Sequence, residues 1–355
     1  MKIDRVEYWT ENFELSRPYA IAYHDTEAVE NIFVRLSADD GSFGLGVASP
    51  AEEVTGEGYD ACRRSLEENL DPLVRGADPR TIKSLLRRLG GQMSAAPAAL
   101  AAVDMALFDL LGKKLNLPLV DILGRCHEAL PTSITIGIKS AAESLEETDE
   151  YLGRGFRILK VKIGRSLEED VDRLFQIRER AGRDVLIRVD ANQGYSLEQY
   201  REFTRRTAPL AIEFVEQPLP AGQVDQMVFL DRETRLRAAA DESLLGPADA
   251  VKYLHEPRPF GIFNIKLMKC GGISPGLRIA EMAETVGIDL MWGCMDESVV
   301  GIAAALHAAL ASPATRYLDL DGSLDLARDL AEGGFIIRDG IMSPTGGPGL
   351  GVTLK

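Results

Sequence analysis

Positive charge is in short supply: the 355 residues carry 40 Lys and Arg against 55 Asp and Glu, a formal net charge of −15. A surface of that sign repels phosphate backbones and anionic lipid, so nucleic-acid and membrane-surface partners are excluded. Long hydrophobic runs are missing as well. No stretch reaches the roughly 18 apolar residues of a membrane span, and no basic leader precedes an apolar segment, so a soluble, cytoplasmic protein is expected. Cysteine is scarce: Cys62, Cys126, Cys270 and Cys294 show no Cys-x-x-Cys spacing and imply no disulfide framework. His127, His255 and His307 fall in no constellation and read as structural or surface residues. Gly271-Gly272 lacks the Lys-Ser or Lys-Thr of a phosphate loop and reads as a turn.

What the chain does have is a repeat of charged residues. Lys162, Asp190, Glu216, Asp241 and Lys266 each end a short apolar run, at steps of 28, 26, 25 and 25 residues. That interval is about one strand plus one helix of a repeated β/α unit. In Ile158-Leu159-Lys160-Val161-Lys162-Ile163, alternation puts both lysines on one face and the apolar residues on the other, which suits a covering layer of helices. Val185–Asp190 stops at a turn, and Ile212–Glu216 stops at Gln217-Pro218, where proline cannot continue the ladder. Ala238–Ser243, Phe263–Met268, Asp289–Cys294 and Tyr317–Asp321 read as further strands, with Thr132–Gly137 in front. About eight parallel strands result, and in a parallel barrel all strand ends of one polarity open onto one pocket.

A lone acid at a strand end is usually a turn former or cap, and a Lys-Val-Lys strand is usually an exposed face. Three caps and two surface lysines have no reason to share one phase of a repeat. Asp190, Glu216 and Asp241 are hard oxygen donors that would repel one another unless a divalent cation sat between them; Mg²⁺ is the natural candidate, and the absence of His and Cys ligands argues against zinc. Three carboxylates and Mg²⁺ sum to about minus one, and two charged lysines bring the site to about plus one, which suits an anionic substrate. A metal with opposed lysines points to removal of the proton beside a carboxylate, whose enolate needs both charges as it forms. Lys162 and Lys266, four strands apart, would face each other as acid and base, so inversion of configuration by a racemase or epimerase is expected; the same pair could serve a lactonising or dehydrating enzyme.

These segments, Lys160-Val161-Lys162, Val189-Asp190-Ala191-Asn192, Glu216-Gln217-Pro218, Ala240-Asp241-Glu242-Ser243 and Ile265-Lys266, resemble the enolase superfamily, and within it the muconate-lactonising-enzyme subgroup. The likeness continues through Ala101–Leu110 and Leu117-Pro118-Leu119 to Pro348-Gly349-Leu350-Gly351-Val352. It implies an α/β fold: a (β/α)7β modified TIM barrel at 128–324 under an α+β capping domain at 1–127, which the segment from about 325 to 355 joins. It also implies Mg²⁺, a Lys base and a homo-oligomer. The alanine-rich helix from Pro97 to about Lys114 belongs to the cap, where Asp104 and Asp109, five residues apart, do not share a helical face and read as structural.

Asp319-Leu320-Asp321 is similar to the paired aspartates with which dipeptide epimerases of this subgroup hold the substrate's α-ammonium. Lys160 would support the enolate, and Thr135 would line the substrate site. Where alanine-glutamate epimerases carry an arginine in an early loop, this chain has His24. Asp25, Glu52, Glu53 and Asp296 add negative charge, and Gly293-Cys294-Met295-Asp296 resembles members acting on cationic dipeptides. The resemblance thus implies epimerisation of the C-terminal residue of Lys- or Arg-containing dipeptides, with Ala-Glu epimerisation, lactonisation or o-succinylbenzoate synthesis as alternatives.

Overall fold

The computed structural model describes residues 1–355 apart from Ile21, Tyr23 and His24, with only the backbone of Tyr19, Ala20 and Asp25. Three antiparallel strands open the chain: β1 (Ile3–Ala20), β2 (Asp25–Ala38) and β3 (Phe43–Ala48). The helix Pro97–Leu115 lies directly on β3. Small residues on both sides permit this: a Cβ on Gly46 would stand 1.8 Å from Ala102 O, and one on Gly44 would stand 2.0 Å from Ala106 O. The alanine richness of that helix therefore sets a backbone-to-backbone distance, and Gly46→Ala would force the helix off the sheet.

After β4 (Leu130–Pro131), eight parallel strands follow in sequence order: β5 (Ile134–Ile136), β6 (Ile158–Lys162), β7 (Leu186–Asp190), β8 (Val215–Glu216), β9 (Ala238–Ala240), β10 (Ile262–Ile265), β11 (Asp289–Gly293) and β12 (Thr315–Asp319). A parallel bridge between Thr132 and Leu318 closes the ring. Outward-facing Leu159, Val161, Ile187 and Val189 are fully buried under the helical layer, each burial contributing about 1.5–3 kcal/mol. Among the described residues no helix is long and apolar enough to cross a membrane, and the four cysteines are free.

Four short strands end the chain: β13 (Ala331–Gly333), β14 (Phe335–Arg338), β15 (Ile341–Pro344) and β16 (Val352–Leu354). This segment touches the first sheet, with Ser16 N donating to Asp325 O and Ala327 N to Glu14 O. It also pairs, through β15, with β4, the strand just before the barrel. Two strands are shorter than the apolar runs suggest. Only Val215–Glu216 of Ile212–Glu216 is in the ladder, and β10 stops at Ile265 because Leu267–Cys270 turns into a short helix. Gly271 and Gly272 then sit at φ 91° and 114°, a turn that glycine adopts without strain.

Candidate active site

The repeat converges as the topology requires. Lys162, Asp190 and Glu216 are the last residues of β6, β7 and β8, and Asp241 and Lys266 each follow the last residue of β9 and β10. Asp190, Glu216 and Asp241 are wholly buried, and each offers an oxygen within 4.8 Å of the others. At that spacing each pair of ionised carboxylates repels by about 3–4 kcal/mol, and the three pairs together by about 10, as much as the whole stability of a typical domain. Lysines offset this. Lys160 Nζ lies 2.7 Å from Asp319 Oδ2, 2.8 Å from Glu216 Oε2 and 3.1 Å from Asp190 Oδ2. Lys162 Nζ lies 2.8 Å from Asp190 Oδ2, and Lys266 Nζ lies 2.7 Å from Asp241 Oδ2.

The lysines do not complete the site. Glu216 Oε1 accepts from Asn264 Nδ2 at 2.6 Å, but Oε2 is buried without an aligned donor among the described residues; its contact with Lys160 is an ion pair only. Burial and the neighbouring Asp190 push the Glu216 carboxyl up to about 8. Burial opposes ionisation of Asp190 too, yet Lys162 and Lys160 hold it at about 2. Lys266 is stabilised as an ammonium, because Asp241 and Glu216 outweigh its burial. It can serve as a base only when the charge of those carboxylates is neutralised. A buried oxygen without a donor, three converging hard ligands and a lysine held charged by them are what a divalent-cation site looks like without its cation, so these three residues could hold one.

Neighbours to which the sequence assigns no role shape this centre. Lys269, fully buried, donates to Asp241 O at 2.6 Å and to an Asp241 carboxylate oxygen. Gln217, at φ 34°, accepts from the backbone N–H groups of Asp241 (2.9 Å) and Ser243 (3.1 Å) and so fixes the ligand's loop. Asn192 joins Lys162 to the buried Glu242.

At the eighth strand, Asp319 Oδ1 accepts from Ser133 Oγ at 2.6 Å, and Asp321, beyond the strand, accepts from Thr135 N at 2.7 Å. Burial and the adjacent Asp319 push Asp321 up to about 7, while Lys160 pairs with Asp319 rather than with Asp321. Thr135, Cys294, Asp296, Asp319 and Asp321 line one cavity with Lys160, Lys162 and Lys266. Cys294 also packs, its thiol donating to Asp319 O at 3.3 Å. The backbone carbonyl of Asp296 is held by Asn31 Nδ2 (3.2 Å) and Ser49 Oγ (2.9 Å). His24 and the Asp25 side chain lie outside the described residues. Glu52 and Glu53 are exposed on their helix, and Val54 rather than either lines the cavity. Arg17, Glu147, Tyr151 and Asp325, from three separated segments, complete the mouth; Arg17 ties the early segment there by pairing with Glu150 at 2.6 Å and donating to Tyr151 Oη at 3.2 Å.

Comparison with known proteins agrees with this geometry. Residues 5–124 match the model of the mandelate racemase / muconate lactonizing enzyme N-terminal domain, and residues 143–355 match the enolase C-terminal domain-like model. The chain is 56% identical over 352 residues to the L-Lys-D/L-Arg epimerase of Desulforapulum autotrophicum, covering 99% of each. It superposes with TM-score 0.97 on a crystal structure of the dipeptide epimerase from Methylococcus capsulatus complexed with Mg and L-Arg-D-Lys, at 54% identity and covering 99% of this chain and 100% of that one. The substrate-liganded L-Ala-D/L-Glu epimerase of Bacillus subtilis superposes with TM-score 0.94 at 33% identity, covering 99% of each.

Proposed function

The chain belongs to the mandelate racemase / muconate lactonizing enzyme family, and from that premise we propose that it is a Mg²⁺-dependent dipeptide epimerase acting on Lys- and Arg-containing substrates. The observation that carries the reading is two lysines flanking three convergent carboxylates, with a paired-aspartate motif in the same cavity. Lys162 and Lys266 line the cavity from strand ends four places apart in the eight-stranded ring: in this reading one takes the α-proton of the C-terminal residue and the other returns a proton to the opposite face, inverting the carbon. Lys160 Nζ faces the negative charge that develops on the substrate carboxylate. Asp319 and Asp321 hold the α-ammonium of the N-terminal residue between two carboxylates. Thr135 and Cys294 support that pair by the contacts above, and Asp296, with His24 in the early loop, is assigned to the side chains. Mg²⁺ held by Asp190, Glu216 and Asp241 would supply the remaining charge stabilisation.

Support for cationic specificity comes from the relatives' substrates and from the acidic wall of Asp296, Asp321, Asp325 and Glu147. We take residues 1–127 with 325–355 as a cap that excludes water from the 128–324 barrel, and the protein as a cytoplasmic homo-oligomer with no nucleic-acid partner. The test is proton NMR in D₂O with Mg²⁺ and a pooled library of L,L-dipeptides. Loss of the C-terminal α-proton signal confined to Lys- and Arg-containing members is expected. Exchange of Ala-Glu alone would overturn the specificity, and no exchange at all would overturn the epimerase reading.

A further inference from the structure

The two lysines that line the cavity from strand ends four places apart are braced differently. Among the described residues Lys266 hydrogen-bonds one group, the carboxylate of Asp241, at 2.7 Å. Lys162 hydrogen-bonds two: Asp190 Oδ2 at 2.8 Å and Asn192 Oδ1 at 3.1 Å. Asn192 in turn donates through Nδ2 to Glu242 Oε1 at 3.1 Å, and its backbone N–H donates to Asp190 Oδ1 at 2.9 Å.

This amide can point only one way. An ammonium only donates and a carboxylate only accepts, so Oδ1 must face Lys162 and Nδ2 must face Glu242; a flipped amide would set two donors against each other. The side chain is buried, and its backbone sits at φ 39°, in the left-handed region that asparagine tolerates better than most residues. Glu242 is itself buried, and its second oxygen has no donor among the described residues, so the amide is the hydrogen bond that orients this carboxylate. The three groups come from the ends of β6, β7 and β9 and span the sector of the barrel rim beside Lys162. Among the described residues no side-chain amide hydrogen-bonds Lys266; its partner Asp241 is held instead by Lys269 and Gln217.

From this asymmetry we infer that Asn192 is a positioning residue for Lys162 alone. It holds the lysine's Nζ through the Lys162–Asn192–Glu242 chain, whereas Lys266 donates its hydrogen bond to Asp241 and feels Glu242 only as a neighbouring charge. Asp190 is shared between Lys162, Lys160 and the candidate cation site, whereas Asn192 belongs to none of the metal ligands. It is therefore the partner that Lys162 keeps when Asp190 is engaged elsewhere.

The inference rests on the epimerase reading and predicts a one-sided defect. With either epimer as starting material, deuterium enters at the α-carbon whenever the lysine on that face removes the proton and solvent deuterium is returned. The test follows deuterium uptake and inversion separately, by NMR in D₂O with Mg²⁺, from the L,L and the L,D dipeptide. The proteins are wild type, Asn192→Gly, Asn192→Ser and Lys162→Ala. Glycine removes the side chain without strain at φ 39°, and serine is too short to reach Lys162. Lys162→Ala identifies which epimer depends on Lys162. For that epimer both asparagine variants should lose uptake by about 10-fold or more, since a small misplacement of a reacting group costs that much. For the other epimer, uptake with retention should stay within about 3-fold of wild type while inverted product falls. Calorimetric titration with Mg²⁺ should give unchanged affinity in Asn192→Gly. Equal losses from both epimers, weakened Mg²⁺ binding, or no loss in either variant would overturn the inference. Wild type that exchanges neither epimer would instead overturn the epimerase reading.

Discussion

Buried carboxylates occur in two regions of this molecule, and they are treated in opposite ways. At the joint between the first sheet and the barrel, Asp104 accepts from Ile273 N (2.7 Å) and Ser274 N (3.3 Å), capping the helix Ile273–Val286. Asp109 accepts from Leu350 N (2.8 Å) and Leu45 N (2.8 Å) and pairs with Lys113 at 2.7 Å. Every oxygen there has a donor, and most donors are backbone N–H groups that nothing can displace. At the barrel mouth the carboxylates face one another and lysine ammoniums, and Glu216 and Glu242 keep oxygens without an aligned hydrogen-bond donor among the described residues. A saturated buried acid is a fastener, whereas a converging cluster of unsaturated ones suits a divalent cation.

The largest effect that tests this contrast is Lys266→Ala. Loss of one acid/base group should slow epimerisation by about 10²–10⁴-fold with little change in melting temperature, measured by inversion of a Lys-containing dipeptide and by calorimetry. A comparable loss of stability would make Lys266 a structural lysine.

Substitution of one carboxylate in each region should then move stability in opposite directions. Asp109→Ala strands the backbone donors of Leu45 and Leu350 and should cost about 3–5 kcal/mol in denaturant unfolding. Glu216→Gln removes a carboxyl whose folded-state value is raised to about 8, a group that favours folding when protonated and loses that contribution as pH rises through 8. Metal-free Glu216→Gln should therefore melt higher than wild type above pH 8, and the stabilisation of wild type by Mg²⁺ should vanish in it. If both variants lose stability at pH 8.5, the two regions do not differ in kind.

The smallest effect concerns His307, buried at the joint with Nδ1 accepting from Val120 N at 3.0 Å. Burial lowers its value from 6.5 to about 4. The folded state stays neutral while the unfolded chain takes up a proton, so stability is intact above pH 6.5 and falls as pH drops towards 4, by about 3 kcal/mol. In His307→Gln that slope between pH 6.5 and 4 should flatten; an unchanged slope would place the titrating group elsewhere.

The fold class and the charged residues that converge at the barrel mouth were legible in the sequence. Lys162, Asp190, Glu216, Asp241 and Lys266 mark strand ends because the β/α period is a local property of the chain and parallel closure then forces equivalent ends together. Asp319 and Asp321 were legible as an adjacent pair, and Asp104 and Asp109 as structural, but the partners of the latter were not: Ile273 and Leu350 lie 169 and 241 residues further on. The same reason hid Asn192, Glu242, Gln217 and Lys269. Their roles depend on which loop leans on which across neighbouring strands, a matter of angles and ångströms that residue spacing does not encode. Chain order decided what chemistry stands at the barrel mouth; the packing of the rim decided which lysine is braced, which oxygen lacks a donor, and which wall meets the substrate.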